Sequence, residues 1–307
     1  MRKVIIKTGS RLHAGFYYAG GEWNVKWGSA GFYIEKPSFV AEFSIGKGIV
    51  EAPEYIKNYM MAISKIVGIE GIRISVRSYI PHNVGFGSST QSIMAIVTAI
   101  KELFKVKLNE SEIFRSLGIG KYSGVGFLLF NKGGFVADAG IGGGHTIKRL
   151  ISLKIPEDWR FIYIKPYLPR GFNEAEEKIM ENLWNPSEGV KKLMSYGLLR
   201  LASGIARHDL EDTLEGLRSI QEGTGLYFSK IQGGVYRKDV LRIANEAWKS
   251  RIILAQSSWG PLLYTISTQG EAEGDAELLK SILKEVKVKG EVGISSPRNK
   301  GYEIRKE

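Results

Sequence analysis

The stretch Pro81-His82-Asn83-Val84-Gly85-Phe86-Gly87-Ser88-Ser89-Thr90-Gln91 constrains this chain more than any other. It joins a β-like segment, Gly71 to Ile80, to a long apolar helix expected over Ser92–Phe104. Two glycines and a run of hydroxyl residues stand at the helix start, with no carboxylate among them. Such a start leaves backbone N–H groups unpaired at the positive end of the helix dipole, which is the chemistry of an anion site, phosphate above all. The plainer alternative is that the hydroxyls simply cap a buried helix.

A chain of 307 residues, 43% of them hydrophobic, can bury a sizeable core in one large or two ordinary domains. The absence of cysteine removes disulfides, thiolate metal sites and cysteine nucleophiles, and fits a reducing, cytoplasmic setting. Met1 to Ile6 reads as a strand rather than a signal peptide, and no apolar run approaches the ~20 residues of a membrane span. The net charge of +11 suits a polyanionic substrate, nucleic acid or merely a lysine-rich surface. Nucleic acid is disfavoured because the basic residues are scattered and aromatics do not alternate with them on short strands.

Strands are expected at Val4–Lys7, Gly31–Glu35, Phe39–Phe43 and Ile72–Val76. After the Ser92–Phe104 helix come a shorter one near Glu110–Leu117 and a glycine-rich block, Gly118 to Gly144, in which Phe127–Phe130 and Phe135–Asp138 suggest a helical turn and a strand. A boundary near Leu150–Trp159 divides the chain into domains 1–155 and 156–307. The second domain should hold a strand at Phe161–Lys165 and helices at Glu174–Trp184, Ser187–His208 and Leu210–Gln221. Strands at Ile252–Ala255 and Leu262–Ser267, a helix at Gly274–Glu285 and a strand at Val286–Gly293 then form a ferredoxin-like ending.

Several chemistries are missing. Neither Gly46-Lys47 nor Gly120-Lys121 completes a Walker A loop, and Gly85-Phe86-Gly87 lacks the third glycine of a dinucleotide fingerprint. The histidines, His13, His82, His145 and His208, are not paired at zinc-binding spacing, and no Gly-x-Ser-x-Gly elbow exists. Arg11-Leu12-His13, Gly142-Gly143-Gly144 and Gln256-Ser257-Ser258-Trp259-Gly260-Pro261 each have a structural reading when taken alone, and Glu174, Glu176 and Glu177 read as a solvated helix face.

Together these pieces resemble the superfamily of galactokinase, homoserine kinase, mevalonate kinase and phosphomevalonate kinase (GHMP), whose Pro-x3-Gly-Leu-Gly-Ser-Ser-Ala signature stands here as Pro81 to Thr90. A narrower resemblance is to the β-ribofuranosylaminobenzene 5′-phosphate synthases, archaeal enzymes of methanopterin-type cofactor biosynthesis. It runs from Arg11-Leu12-His13 through Thr90-Gln91, Ser123-Gly124-Val125-Gly126, Gly133-Gly134-Phe135, Asp138-Ala139-Gly140 and Gln232-Gly233-Gly234-Val235-Tyr236 to Gln256–Pro261. Ala14, Lys121, His82-Asn83 and Ala255 depart from the usual pattern. The resemblance implies a two-domain α+β fold, a ribosomal-protein-like N-terminal domain followed by a ferredoxin-like one.

It also implies decarboxylating transfer of a phosphoribosyl group from phosphoribosyl pyrophosphate to 4-aminobenzoate or 4-hydroxybenzoate, with magnesium expected and a homodimer allowed. On that reading Arg11, His13 and Trp259 are catalytic, with His13 protonating or stabilising the departing pyrophosphate. Gly85, Gly87, Ser88, Ser89, Thr90, Gln91, Ser257 and Ser258 bind phosphate, and Ser123, Gly124, Gly143 and Gly144 bind substrate. The alternative is an ATP-dependent small-molecule kinase. Against it, mevalonate-type kinases carry an aspartate after Ser-Gly-x, where this chain has Gly126.

Overall fold

A computed structural model describes residues 3–18, 27–46, 49–141, 147–169 and 185–307. The elements are β1 (Lys3–Tyr18), β2 (Trp27–Ile45), β3 (Ile49–Glu51), α1 (Glu54–Val67), β4 (Ile72–Ser78), α2 (Ser88–Phe104), α3 (Glu110–Ser116), α4 (Val125–Lys132), β5 (Phe135–Asp138) and β6 (Arg149–Leu153). They continue with β7 (Trp159–Pro166), α5 (Glu188–Arg207), α6 (Leu210–Tyr227), α7 (Ser229–Gln232), α8 (Leu241–Lys249), β8 (Ala255–Gln256), β9 (Leu263–Thr268), α9 (Ala272–Glu285), β10 (Gly290–Ser295) and β11 (Glu303–Lys306).

Among the described residues these form a seven-stranded sheet, with spine β11-β1-β2-β4-β3 and β5–β6 attached to β2, and a four-stranded sheet in the order β10-β7-β9-β8. The second sheet is antiparallel throughout, which is the ferredoxin-like order with a helical insertion between its first two strands. Leu12 to Tyr17 of β1 are all buried, because α2 and α4 cover one part of the strand and α5 and α6 another. Hence this strand shows no in–out alternation.

One core runs through both sheets. Phe32 of β2 meets Phe161 of β7 at 5.2 Å and Tyr264 of β9 at 6.2 Å between ring centroids. Helices α5 and α6 approach closely through glycines spaced seven residues apart on each, Gly197 and Gly204 on α5 and Gly216 and Gly223 on α6: a Cβ on Gly204 would lie 2.5 Å from Thr213 N, and one on Gly216 would lie 2.3 Å from Leu201 N. Helix α6 then docks on β1, where the Thr224 hydroxyl accepts from Phe16 N at 2.9 Å and donates to Phe16 O at 3.2 Å.

The structure amends several expected boundaries. Helix α2 begins at Ser88 rather than Ser92, because Gly87 takes a left-handed conformation (φ 73°) and turns the hydroxyl run into the first helical turn. The strand expected at Ile252–Ala255 is Ala255–Gln256, since Arg251 is left-handed (φ 62°) and Ile252 ends the preceding helical segment by bonding back to Ala247 O. The strand expected at Val286–Gly293 is Gly290–Ser295, because Val286 caps α9 and Lys287 is left-handed (φ 58°). Nor does the chain end in the second sheet: β11 returns to pair antiparallel with β1, Val4 opposite Lys306. A single cut after residue 155 therefore does not separate the two sheets. The helix expected at Glu174–Trp184 lies outside the described residues.

The return of β11 is held by Arg298, which is fully buried. Its guanidinium donates to both Glu35 carboxylate oxygens at 2.9 and 2.8 Å, to Glu303 at 2.8 Å and to Gly301 O at 2.7 Å.

Candidate active site

Three segments far apart in sequence meet at a cleft of about 350 Å³ lined by Arg11, Asn83, Gly85, Gly87, Ser88, Ser89, Thr90, Ser258, Trp259 and Gly260. Close backbone approach makes this possible. A Cβ on Gly260 would lie 2.1 Å from Val84 O, and one on Gly85 would lie 2.7 Å from Ser257 O, so neither position tolerates a side chain without separating the two loops. Leu262 N also donates to Val84 O at 3.1 Å.

Helix α2 aims its N-terminus into the cleft. Gly87 supplies no side-chain cap and the first turn contains no acidic residue. Gln91 N is the first amide to bond within the helix, to Gly87 O at 3.2 Å, and the amides of Ser88, Ser89 and Thr90 have no acceptor among the described residues. These donors and the helix dipole favour an anion.

Arg11 stands opposite. Its backbone N donates to Phe86 O at 2.9 Å and its Nη1 to Gly85 O at 3.2 Å. Among the described residues it has no carboxylate partner. Burial lowers its pKa to about 10, against a smaller opposing effect from Tyr264. The guanidinium remains a cation at neutral pH, held without a counter-charge. Among the described residues no Asp or Glu lines the cleft, so Arg11 and the start of α2 leave it favourable to an anion.

Trp259 forms the far wall, packed edge-on against Phe228 at 4.6 Å. Its turn is clipped by Arg237, whose Nη1 donates to Trp259 O at 2.9 Å while Asp239 neutralises the guanidinium. Ser258 adopts φ 60°, an unfavourable conformation for a serine and a sign that the turn is built to place its neighbours.

Behind Trp259 lies a second, smaller pocket lined by His13, Gly15, Phe16, Gln221, Thr224, Phe228 and Gln256 among others, which shares Ser258 and Trp259 with the cleft. His13 is 3% exposed and its Nε2 has no hydrogen-bond partner. A register shift between His13 and Gly15 bulges β1 just beyond His13. Burial, and secondarily the charge of Arg11, push the His13 pKa well below its ordinary value. This favours the neutral imidazole, and His13 lines the pocket behind Trp259 rather than the cleft.

Arg11, Gly85, Gly87, Ser88, Ser89, Thr90, Ser258 and Trp259 are thus brought together. Ser257 and Gln91 are not part of the lining. Ser257 is fully buried, donating to Gly85 O at 2.7 Å and accepting from His13 N at 2.9 Å, so its hydroxyl clamps the loops. Gln91 is also fully buried, accepting from Tyr33 OH at 2.7 Å and donating to Gly126 O at 3.0 Å. Ser123 and Gly124 lie off the cleft, joined through Asp138: Ser123 Oγ meets Ser29 Oγ at 2.6 Å, and Gly124 N donates to Asp138 Oδ2 at 2.8 Å. Gly143 and Gly144 lie outside the described residues. Sequence reasoning missed Asn83, whose left-handed φ of 56° was signalled only by its residue type ahead of Val84-Gly85, and the glutamines behind Trp259, which carried no signal.

The geometry is that of the GHMP-kinase fold. The family described as GHMP kinases N terminal domain matches residues 54–127. Homoserine kinase from Cytophaga hutchinsonii superposes with a TM-score of 0.70 at 16% identity, covering 99% of this chain and 98% of its own. Mevalonate pyrophosphate decarboxylase from Streptococcus pyogenes does so with a TM-score of 0.68 at 10% identity, covering 97% of each chain. The chain shares the fold of these enzymes, and its residues 54–127 carry the match to their N-terminal domain.

Within that fold, the sequence is similar from end to end to particular enzymes. It is 25% identical to β-ribofuranosylphenol 5′-phosphate synthase of Methanocaldococcus jannaschii, over 98% of this chain and all of that protein. It is 26% identical to the enzyme of the same name from Archaeoglobus fulgidus, over 97% of this chain and 98% of the other.

Proposed function

We propose that the chain is a decarboxylating phosphoribosyltransferase that joins phosphoribosyl pyrophosphate to 4-hydroxybenzoate or 4-aminobenzoate, releasing pyrophosphate and carbon dioxide. The observation that carries this reading is a cleft holding Arg11 and, among the described residues, no carboxylate, which shares the wall Ser258–Trp259 with an aromatic pocket. End-to-end similarity to synthases named for a ribofuranosylphenol phosphate supports it over the kinase alternative and favours the hydroxybenzoate acceptor.

On this reading the pyrophosphate group seats on the amides of Ser88, Ser89 and Thr90. Arg11 meets the negative charge that develops as the C1′–O bond breaks. Trp259 lies against the ribosyl cation or the acceptor ring and keeps water from that cation. The ring carbon bearing the carboxylate bonds to C1′, and carbon dioxide departs with the ring regaining aromaticity.

Magnesium would neutralise pyrophosphate charge. Among the described residues no cluster of three or more His, Asp or Glu could hold a metal, and the cleft offers the neutral oxygens of Asn83, Ser88, Ser89 and Thr90. These fit an ion carried mainly by substrate phosphates.

The deciding experiment incubates the protein with magnesium, phosphoribosyl pyrophosphate and carboxyl-labelled 4-hydroxybenzoate or 4-aminobenzoate. Label released as carbon dioxide only with the phosphoribosyl donor supports the synthase. No release from folded protein, together with ATP-dependent thermal stabilisation, would transfer the assignment to a kinase.

A further inference from the structure

The pocket behind Trp259 has about 20 Å³ of space, room for one water-sized group. Its walls are aromatic and amide: Phe16, Phe228 and Trp259 on one side, three glutamines on the other. The glutamines are already committed. Gln256 Nε2 donates to Gln232 Oε1 at 3.2 Å and to Ser258 O at 2.9 Å, Gln256 Oε1 accepts from Arg237 N at 2.9 Å, and Gln221 Oε1 accepts from Gln256 N at 3.1 Å. The Thr224 hydroxyl is taken up by the backbone of Phe16. What remains is His13 Nε2, buried and without a partner. A buried polar atom left open beside a one-group cavity is a site for a polar group brought by a ligand.

We propose that His13 Nε2 binds the hydroxyl or amino group para to the carboxylate of the aromatic acceptor, while the acceptor ring lies against Trp259 at the boundary with the phosphate cleft. The inference rests on the synthase reading and adds to it the residue that recognises the acceptor. Trp259 and Ser258 line both spaces, so a ring placed there has one end toward Arg11 and the other toward His13. The pocket's size admits a single heavy atom and excludes a methoxy group.

The placement has a chemical consequence. Attack by the carboxyl-bearing carbon draws electrons from the para substituent into the ring. As the C–C1′ bond forms and the C1′–O bond breaks, pyrophosphate leaves with its electron pair, and the para O–H or N–H proton moves to His13 Nε2. When carbon dioxide departs, the pair from its C–C bond restores the aromatic ring and the para group recovers the proton from His13. No proton is gained or lost overall. A neutral imidazole is the form that can do this, in keeping with the lowered basicity of His13 relative to an exposed histidine.

The test is carbon dioxide release by the full-length wild type, His13→Gln and His13→Phe, with 4-hydroxybenzoate, 4-aminobenzoate, 4-methoxybenzoate and unsubstituted benzoate. Wild type should turn over the first two acceptors and neither of the others. His13→Phe should lose about 100-fold or more in kcat while KM for phosphoribosyl pyrophosphate changes by less than about 3-fold. His13→Gln, which keeps an acceptor oxygen, should recover part of the loss. Should His13→Phe fail to fold, His13→Gln decides, with an altered ratio between the hydroxy and amino acceptors as the supporting result. Full activity in a folded His13 variant, or ready turnover of 4-methoxybenzoate by wild type, overturns the inference and leaves the synthase reading intact. Absence of release by wild type overturns both.

Discussion

Replacing Arg11 by methionine should stabilise the unliganded protein while abolishing its response to pyrophosphate. The guanidinium is charged at neutral pH both folded and unfolded, but burial lowers its folded pKa to about 10. That lowering corresponds to a cost on the order of 3 kcal/mol to the folded state, reduced to ~2 kcal/mol because the group is partly open to the cleft. The sign follows from the direction: a base with a lowered folded pKa burdens the fold wherever both states are protonated, and the burden fades only as pH rises above about 10 toward the ordinary arginine range. Against this, Arg11→Met loses the bond from Nη1 to Gly85 O, worth ~1 kcal/mol. Gly85 O is not stranded, since it still accepts from Ser257 Oγ at 2.7 Å. The net expectation is a gain of ~1 kcal/mol, or about 2 °C in Tm. Pyrophosphate with magnesium should raise the wild-type Tm, by ~2.7 kcal/mol of stabilisation at about a hundredfold excess over Kd. The variant, lacking a buried charge partner worth ~2–5 kcal/mol, should show no shift at the same concentration. Tryptophan fluorescence melts read both. A variant less stable than wild type when unliganded, with its pyrophosphate shift preserved, would refute the reasoning.

Other expectations concern the frame of the site. Ser257→Ala strands the buried His13 N and leaves Gly85 O only its bond from Arg11, and should cost ~1–3 kcal/mol in urea unfolding while lowering kcat. Gly260→Ala places a Cβ 2.1 Å from Val84 O and should either fail to fold or lose at least ~2 kcal/mol, with pyrophosphate binding weakened as the loops part. Arg298→Ala leaves Glu35 without its buried partner and frees β11, which should cost ~3–5 kcal/mol and expose the C-terminus to limited proteolysis. A Ser257→Ala protein as stable as wild type would show that the clamp is dispensable.

The parts of the site that could be read from sequence are those whose residues are neighbours in the chain. Gly85 to Thr90 lie between a strand and a helix, and their residue types alone announce the amide-rich helix start. Arg11 and Trp259 became legible through family resemblance, because nothing local shows that β1 and the Gln256–Pro261 turn converge. Residue type did not reveal direction. Ser257 and Ser258 are adjacent hydroxyls, yet the left-handed conformation of Ser258 leaves one in the cleft wall and the other as a buried clamp. Arg11 and His13, two residues apart on a regularly paired stretch of β1, likewise line separate cavities. The glutamine network was invisible because its members come from α6, α7 and β8. The return of β11 was hidden by its composition: Glu303-Ile304-Arg305-Lys306 has only one apolar side chain to bury.

The fold is shared with homoserine kinase, and the reaction proposed for this chain asks something different of it. Where mevalonate-type kinases place an aspartate this chain has Gly126, and a Cβ there would lie 3.0 Å from Thr90 Cγ2 on α2. Among the described residues the cleft contains no carboxylate to deprotonate an acceptor hydroxyl. On the proposed reaction an aromatic acid removes the need for one. Its reacting carbon loses carbon dioxide where another nucleophile would lose a proton, so no base is required beside C1′. What the cleft must supply is positive charge for pyrophosphate and shelter for a cation, and Arg11, the first turn of α2 and Trp259 are what this chain has placed there.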